Sequence, residues 1–325
     1  MNTIRWFPVI LILFIIFLMN SCETYDEDAI DPSQVDKWEN YSTTNGLTDN
    51  FIYTIFKDRS GNIWVGTDQG GVNRYSGSGW TSYTINDGLL SNRVYAIGQD
   101  KDGDIWFGTD AGANIMLDGG IYYFEYLENI PVYSFLKDRE DIFWIGTGGY
   151  GVVLFDYQEF FPLTFENPDY NYINSMITDR SGTVWIGTDG GAFYYDGETF
   201  DIFDESDGLN NNKITDILED SWGDLWFSSF QGEFLTRYDG SGTEYFDLFN
   251  GSTLTGVWSM VEDLDRNIWF TTGGSGIVKF NGAEMKTIVL PSHFQDDRIL
   301  CAELDGDGNL WFGTVESGIY MYITE

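Results

Sequence analysis

Histidine, cysteine, proline and positive charge are all scarce in this chain. Its 325 residues contain one histidine, two cysteines, six prolines and 16 lysines plus arginines against 52 acidic residues. One histidine, His293, rules out a histidine-rich metal site and leaves a Ser-His-Asp arrangement dependent on that residue alone. No nucleophile-elbow pattern accompanies it. Two cysteines, Cys22 and Cys301, cannot form a disulfide framework. A formal net charge of −36 repels phosphate backbones, so nucleic acid is excluded as a partner. Helical periodicity is missing after the first 21 residues.

Long apolar runs are also missing, with one short exception. Residues 6–19 follow Arg5 as an apolar stretch of 14 residues. About 20 are needed to span a bilayer as a helix. The stretch ends at Met19-Asn20-Ser21-Cys22, which reads as a secretory signal over residues 1–21. An uncleaved anchor is the alternative. Residues 22–36 are acidic and poor in apolar side chains, and are expected to form a flexible tether.

What the chain does contain is one pattern repeated seven times. DRSGNIWVGTDQGG at 58–71 returns near 100, 138, 179, 220, 263 and 305. The marker tryptophans are Trp64, Trp106, Trp144, Trp185, Trp226, Trp269 and Trp311, spaced by 42, 38, 41, 41, 43 and 42 residues. A fixed period in this range implies a repeat architecture. Each unit holds four β-branched or aromatic runs bounded by Asp/Gly/Asn turns. Four short strands per ~42 residues predict an all-β fold, a seven-bladed propeller of four-stranded antiparallel blades over residues 37–325.

The turn residues have mechanical work. Asp58, Asp100, Asp138, Asp179, Asp220, Asp263 and Asp305 can each accept amide hydrogen bonds two residues on. Gly61, Gly103, Gly182, Gly223 and Gly308 suit a positive φ. Asp141 and Arg266 replace that glycine, so a different turn type is expected in their units. Each marker tryptophan, packed between blades, would contribute at most roughly 5 kcal/mol from ~200 Å² of burial.

Ring closure is also legible. The seventh unit lacks an outer strand, and Trp38-Glu39-Asn40-Tyr41 precedes Gly46-Leu47 as Trp80-Thr81-Ser82-Tyr83 precedes Gly88-Leu89. The segment before the first unit therefore should complete the last blade, removing an open edge.

The repeated D-x-x-G-[ND]-[IL]-W-x-G-T core and the Gly-Leu-x-x-Asn-x-[Ile/Val] lead-in resemble the two-component regulator propeller repeat. The resemblance implies the extracytoplasmic sensor half of a hybrid two-component system. Residue 325 falls where the seventh unit ends, so a free-standing form is expected. Cys22 resembles a lipobox cysteine, which implies a lipoprotein of the cell envelope. Acylation there would tether the chain to the outer membrane, facing periplasm or cell surface.

Ligand sites are expected at the axial channel, on the face that carries two sets of loops. Loops leading into the first strands offer Asn50, Asn92, Arg93, Tyr133, Asn171, Tyr172, Asn212, Lys213, Trp258 and Arg298. Loops between second and third strands offer Asp68, Asp110, Tyr150, Asp189 and Gln231. Amides, cations and rings together suit a hydroxyl-rich ligand, either a glycan or part of an envelope protein. No catalytic residue is assigned. The alternative is a propeller enzyme, of lyase or hydrolase type, using Asp68, Asp110 and Asp189 as acids or bases. No cofactor is expected, and the sole candidate ion is calcium at Asp100, Asp102 and Asp104 or at Asp305 and Asp307, where the EF-hand order fails. Cys301 occupies a slot filled elsewhere by Thr54, Ala96, Ser134, Ser175 and Ser259, and reads as a packing residue.

Overall fold

A computed structural model describes residues 37–229, 235–247, 256–294 and 296–324. The leader, the tether with Cys22, and Gln231 lie outside the described residues. Seven four-stranded antiparallel sheets follow one another as blades. Blade 1 runs Ile52–Lys57, Ile63–Thr67, Val72–Tyr75 and Trp80–Tyr83 from inside to outside. The inner strands of the others are Val94–Gln99, Val132–Lys137, Ile173–Thr178, Ile214–Glu219, Val257–Glu262 and Ile299–Leu304. Each inner strand packs on the inner strands of the two neighbouring blades, the seventh on the first, so the ring closes.

Closure is made by Trp38–Tyr41, which pairs antiparallel with Ile319–Tyr322 as the outer strand of blade 7. The Asn40 amide donates to the carbonyls of Ser317 (2.9 Å) and Ile319 (3.0 Å). Tyr41 stacks on Trp311 at 5.4 Å between centroids. No sheet edge is left at the seam, as the spacing of the two lead-in segments predicts.

Second strands such as Ile63–Thr67 and Ile105–Thr109 are buried along their whole length, with sheet on either side. In all seven repeats the tryptophan indole N–H donates to the turn aspartate's Oδ2, at 2.7 to 2.9 Å. The same aspartate's Oδ1 accepts amides two and four residues on, as Asp100 does from Asp102 and Asp104. The recurring Asp-to-Trp spacing is therefore a covalent tether around one carboxylate. Both carboxylate oxygens of Asp100 and of Asp305 are engaged in this way.

Two expectations, one about the turns and one about an inner-strand slot, need correcting. Asp141 and Arg266 adopt φ of 64° and 66°, in the left-handed region their glycine counterparts use. Their turns keep the same hydrogen bonds, so the type does not change. The aspartate bonds over-determine the loop and offset the cost of a side chain at positive φ. The slot around Cys301 also is not uniformly small, because blade 5 fills it with Asp216. Cys301 itself is buried, and burial pushes its thiol up to about 12, which leaves it inert.

Candidate functional site

Every inner strand carries a register shift in the same place, between Ile52 and Thr54 in blade 1 and at the matching positions of the other six. The extra residue of each bulge is Tyr53, Tyr95, Tyr133, Asn174, Thr215, Trp258 or Leu300. A bulge leaves one residue out of the ladder and re-aims its side chain. All seven line one axial cavity of about 650 Å³, together with Phe51, Tyr172, Asp189, Lys213 and Val315.

The cavity has two sides. Blades 1 to 4 supply an aromatic arc in which Tyr53 meets Tyr95 edge-on at 4.9 Å, and Tyr95 meets Tyr133 at 5.1 Å. Phe51 packs on Tyr53 at 4.7 Å. Gly148 makes room for the arc, since a Cβ there would come within 2.7 Å of the Tyr133 ring. Burial pushes the Tyr53 hydroxyl up to about 12, assisted by Asp68, and burial likewise raises Tyr95 and Tyr133. The phenols are therefore neutral hydrogen-bonding groups.

Blades 4 and 5 supply the polar wall. Asn174 donates to Asp189 Oδ1 (2.9 Å) and to the Ile214 carbonyl (2.8 Å) of the next blade. Lys213 Nζ stands 3.0 Å from Asp189 Oδ2. The Thr215 hydroxyl donates to the Val257 carbonyl at 2.6 Å.

Beside the aromatic arc, Arg93 bonds Asp68 at 2.6 Å and reaches Asp110 at 3.7 Å. Burial opposes the charge on Asp68, but donors from Arg93, Gln69 and Tyr53 outweigh it and hold its carboxyl below the usual range. Arg93 is raised in turn by its hydrogen bond and attraction to Asp68. Arg298 pairs instead with Glu316 (2.7 Å) and Asp296 (3.0 Å) within blade 7.

Of the residues singled out from sequence, Tyr133, Tyr172, Trp258, Asp189 and Lys213 line the cavity. Arg93, Asp68 and Asp110 flank its tyrosines. Asn50, Asn92 and Asn212 do not line it. Their side-chain oxygens accept amides of Thr43, Ile85 and Glu205 seven residues back, and so brace the lead-in loops. Sequence reading passed over Tyr53, Tyr95, Asn174, Thr215 and Leu300. The signal was available five residues before each turn aspartate, where the side chain changes freely beside a constant Ile or Val. His293 is exposed against Phe294, outside the cavity.

Five segments, residues 46–69, 88–111, 167–190, 208–231 and 293–316, match the family described as "Two component regulator propeller". Each spans a lead-in loop, a bulged inner strand and a second strand. The chain is 24% identical over 215 residues to Histidine kinase P4 of Formosa agariphila, a match covering 61% of this chain and 14% of that one. It superposes, with a TM-score of 0.77 and 24% identity, on the extracellular domain of a protein from B. thetaiotaomicron described as a hybrid two component system. That match covers 89% of this chain and 41% of the other, so the chain spans under half the length of either protein. A second similar structure, at TM-score 0.73 and 16% identity, is a catalytically inactive variant of virginiamycin B lyase from Staphylococcus aureus with quinupristin, with 89% and 99% of the two chains covered. Five of the seven repeats of this chain thus belong to the two component regulator propeller family.

Proposed function

We propose that this chain is an extracytoplasmic binding propeller that senses a short, hydroxyl-rich ligand such as a glycan in its axial cavity. Acyl chains on Cys22 would hold it at the outer membrane. The carrying observation is the bulge position. The turns, tryptophans and clamps are repeated, yet this position holds seven side chains of five types, all converging on one cavity. Divergence where geometry is constant marks a position selected for what it contacts. The volume falls in the range of small-ligand sites, roughly 300–1,000 Å³. Aromatic faces can cover the apolar side of a sugar while Asn174, Asp189 and Thr215 meet its hydroxyls.

The similar extracellular domain from B. thetaiotaomicron supports a location outside the cytoplasm. The lyase reading has less support. Asp68 and Asp189 are tied to Arg93 and Lys213, and the one histidine stands outside the cavity.

The test is calorimetry on the purified chain against neutral, amino and acidic oligosaccharides. Binding should weaken about tenfold in Tyr95→Ala, the loss expected when one packed ring is removed. Silence across the whole panel, or binding indifferent to Tyr95 and Trp258, would sink the proposal.

A further inference from the structure

Asp216 is a carboxylate in the slot that other blades fill with Thr54, Ala96, Ser134, Ser175, Ser259 or Cys301. It follows Thr215 in the chain, one residue past the cavity ring. Its Oδ1 accepts from the Ser175 hydroxyl of blade 4 (2.9 Å) and from the Ile217 amide (2.9 Å). Its Oδ2 accepts from the Met260 amide of blade 6 (2.8 Å), and the Ser259 hydroxyl bonds it as well. One side chain thus ties together three consecutive blades, directly behind Asn174, Thr215 and Trp258.

Among the described residues no cation pairs with it. Inner strand 173–178 and second strands 184–188 and 225–229, which pack against it, carry no titratable residue. Glu219 on its own strand and Glu262 on inner strand 257–262 face away, at the turn end. There they accept the amides of Arg180 (2.9 Å) and Ser221 (3.0 Å). Asp216 is therefore an ion held by neutral donors alone.

We propose that Asp216 positions the polar wall of the axial cavity and sets it differently in its charged and neutral forms. The charged form only accepts. Each oxygen accepts a backbone amide, Ile217 on Oδ1 and Met260 on Oδ2, so the proton of the neutral form must be donated to a hydroxyl, and Ser175 Oγ stands 2.9 Å from Oδ1. The Ser175 hydroxyl must then turn away, and Ser175 adjoins Asn174. Burial pushes this carboxyl up to about 6, against 3.8 ordinarily, so the two forms exchange in a mildly acidic medium. The consequence for ligand binding rests on the cavity being the binding site argued above. The titration does not.

The test uses the full chain in mild detergent, without ligand. The side-chain amide signal of Asn174 and the indole signal of Trp258, each assigned by a single substitution, are followed by NMR from pH 4.5 to 8. Both should move with one midpoint near 6 in the wild type and stay flat in Asp216→Ser, which places there the serine other blades use. Should that variant not fold, Asp216→Asn gives the same reading. Signals that stay still in the wild type, or that still titrate in the variant, would overturn the proposal. Glu303, raised by its burial to about 7, lies in blade 7 near Lys57 and is the group such a residual titration would report. Titration without any oligosaccharide binding leaves this inference standing and removes the functional one.

Discussion

The Trp106 indole N–H points at Asp100 Oδ2, 2.9 Å away, and this pairing recurs in every blade. It joins the turn at one end of the sheet to the largest buried side chain of the second strand. Removing the Asp100 carboxylate takes the acceptor from an indole N–H and three amides. Asp100→Ala should cost about 2–4 kcal/mol, and Asp220→Ala a similar amount. Urea unfolding of each variant measures it, and a loss below about 1 kcal/mol would show that water replaces the carboxylate.

Three other turn aspartates set a response to acid. Burial works against the charge on Asp58, Asp179 and Asp263, but their donors, the indole N–H among them, prevail and hold the carboxyls below 3.8. A depressed pKa gives stability that is present above the unfolded value and lost as pH falls through the folded one. Stability from these groups should therefore hold above about pH 4 and collapse below it.

Asp216 has the opposite sign. Its folded pKa of about 6 exceeds 3.8, so between those values the folded chain keeps a proton that the unfolded chain has released. Its contribution should fall as pH rises from about 4 to about 6 and then level off. Urea midpoints at pH 4.5, 5.5 and 6.5 should fall more steeply in the wild type than in Asp216→Ser, where Glu303 is left to contribute.

The seam is the next test. Asn40→Ala loses two hydrogen bonds to the last blade and should cost about 1–3 kcal/mol. Deleting residues 37–43 exposes the edge of strand Ile319–Tyr322 and should abolish cooperative thermal unfolding. A truncated chain melting at the wild-type temperature would refute the closure's role.

Gly148→Ala separates site from scaffold. The added Cβ meets the Tyr133 ring and must displace it. Ligand affinity should drop about tenfold while unfolding free energy shifts by under about 1 kcal/mol. An unchanged affinity would place Tyr133 outside the contact surface.

The fold was legible because its period is written in tryptophan and its closure in the matched offsets of Trp38 and Trp80. The site was half legible. Arg93, Trp258 and Arg298 stand out by differing from their repeat-mates; Trp258 lines the cavity and Arg93 flanks it, whereas Arg298 pairs with Asp296 and Glu316. Asn50 and its counterparts looked like ligand contacts, since an amide that braces a loop and one that meets a ligand are the same letter in a sequence. Tyr53 and Tyr95 escaped notice because a bulge, which turns a ladder position into a channel position, has no residue signature of its own. Asp216 escaped because its slot was judged by the company of serine and threonine. Arg266 misled in another way, as three hydrogen bonds to Asp263 can hold a non-glycine residue at positive φ.

In blades 1 to 4 and 7 a glycine in the second strand, such as Gly187, lies so near the next blade that a single added carbon would strike it. Blades 5 and 6 carry Ser228 and Thr271 at that point, and their hydroxyls meet Thr215 and the Ser259 backbone instead. Where five blades meet their neighbours over bare backbone, these two carry hydroxyls, and they lie in the same arc as Asp216.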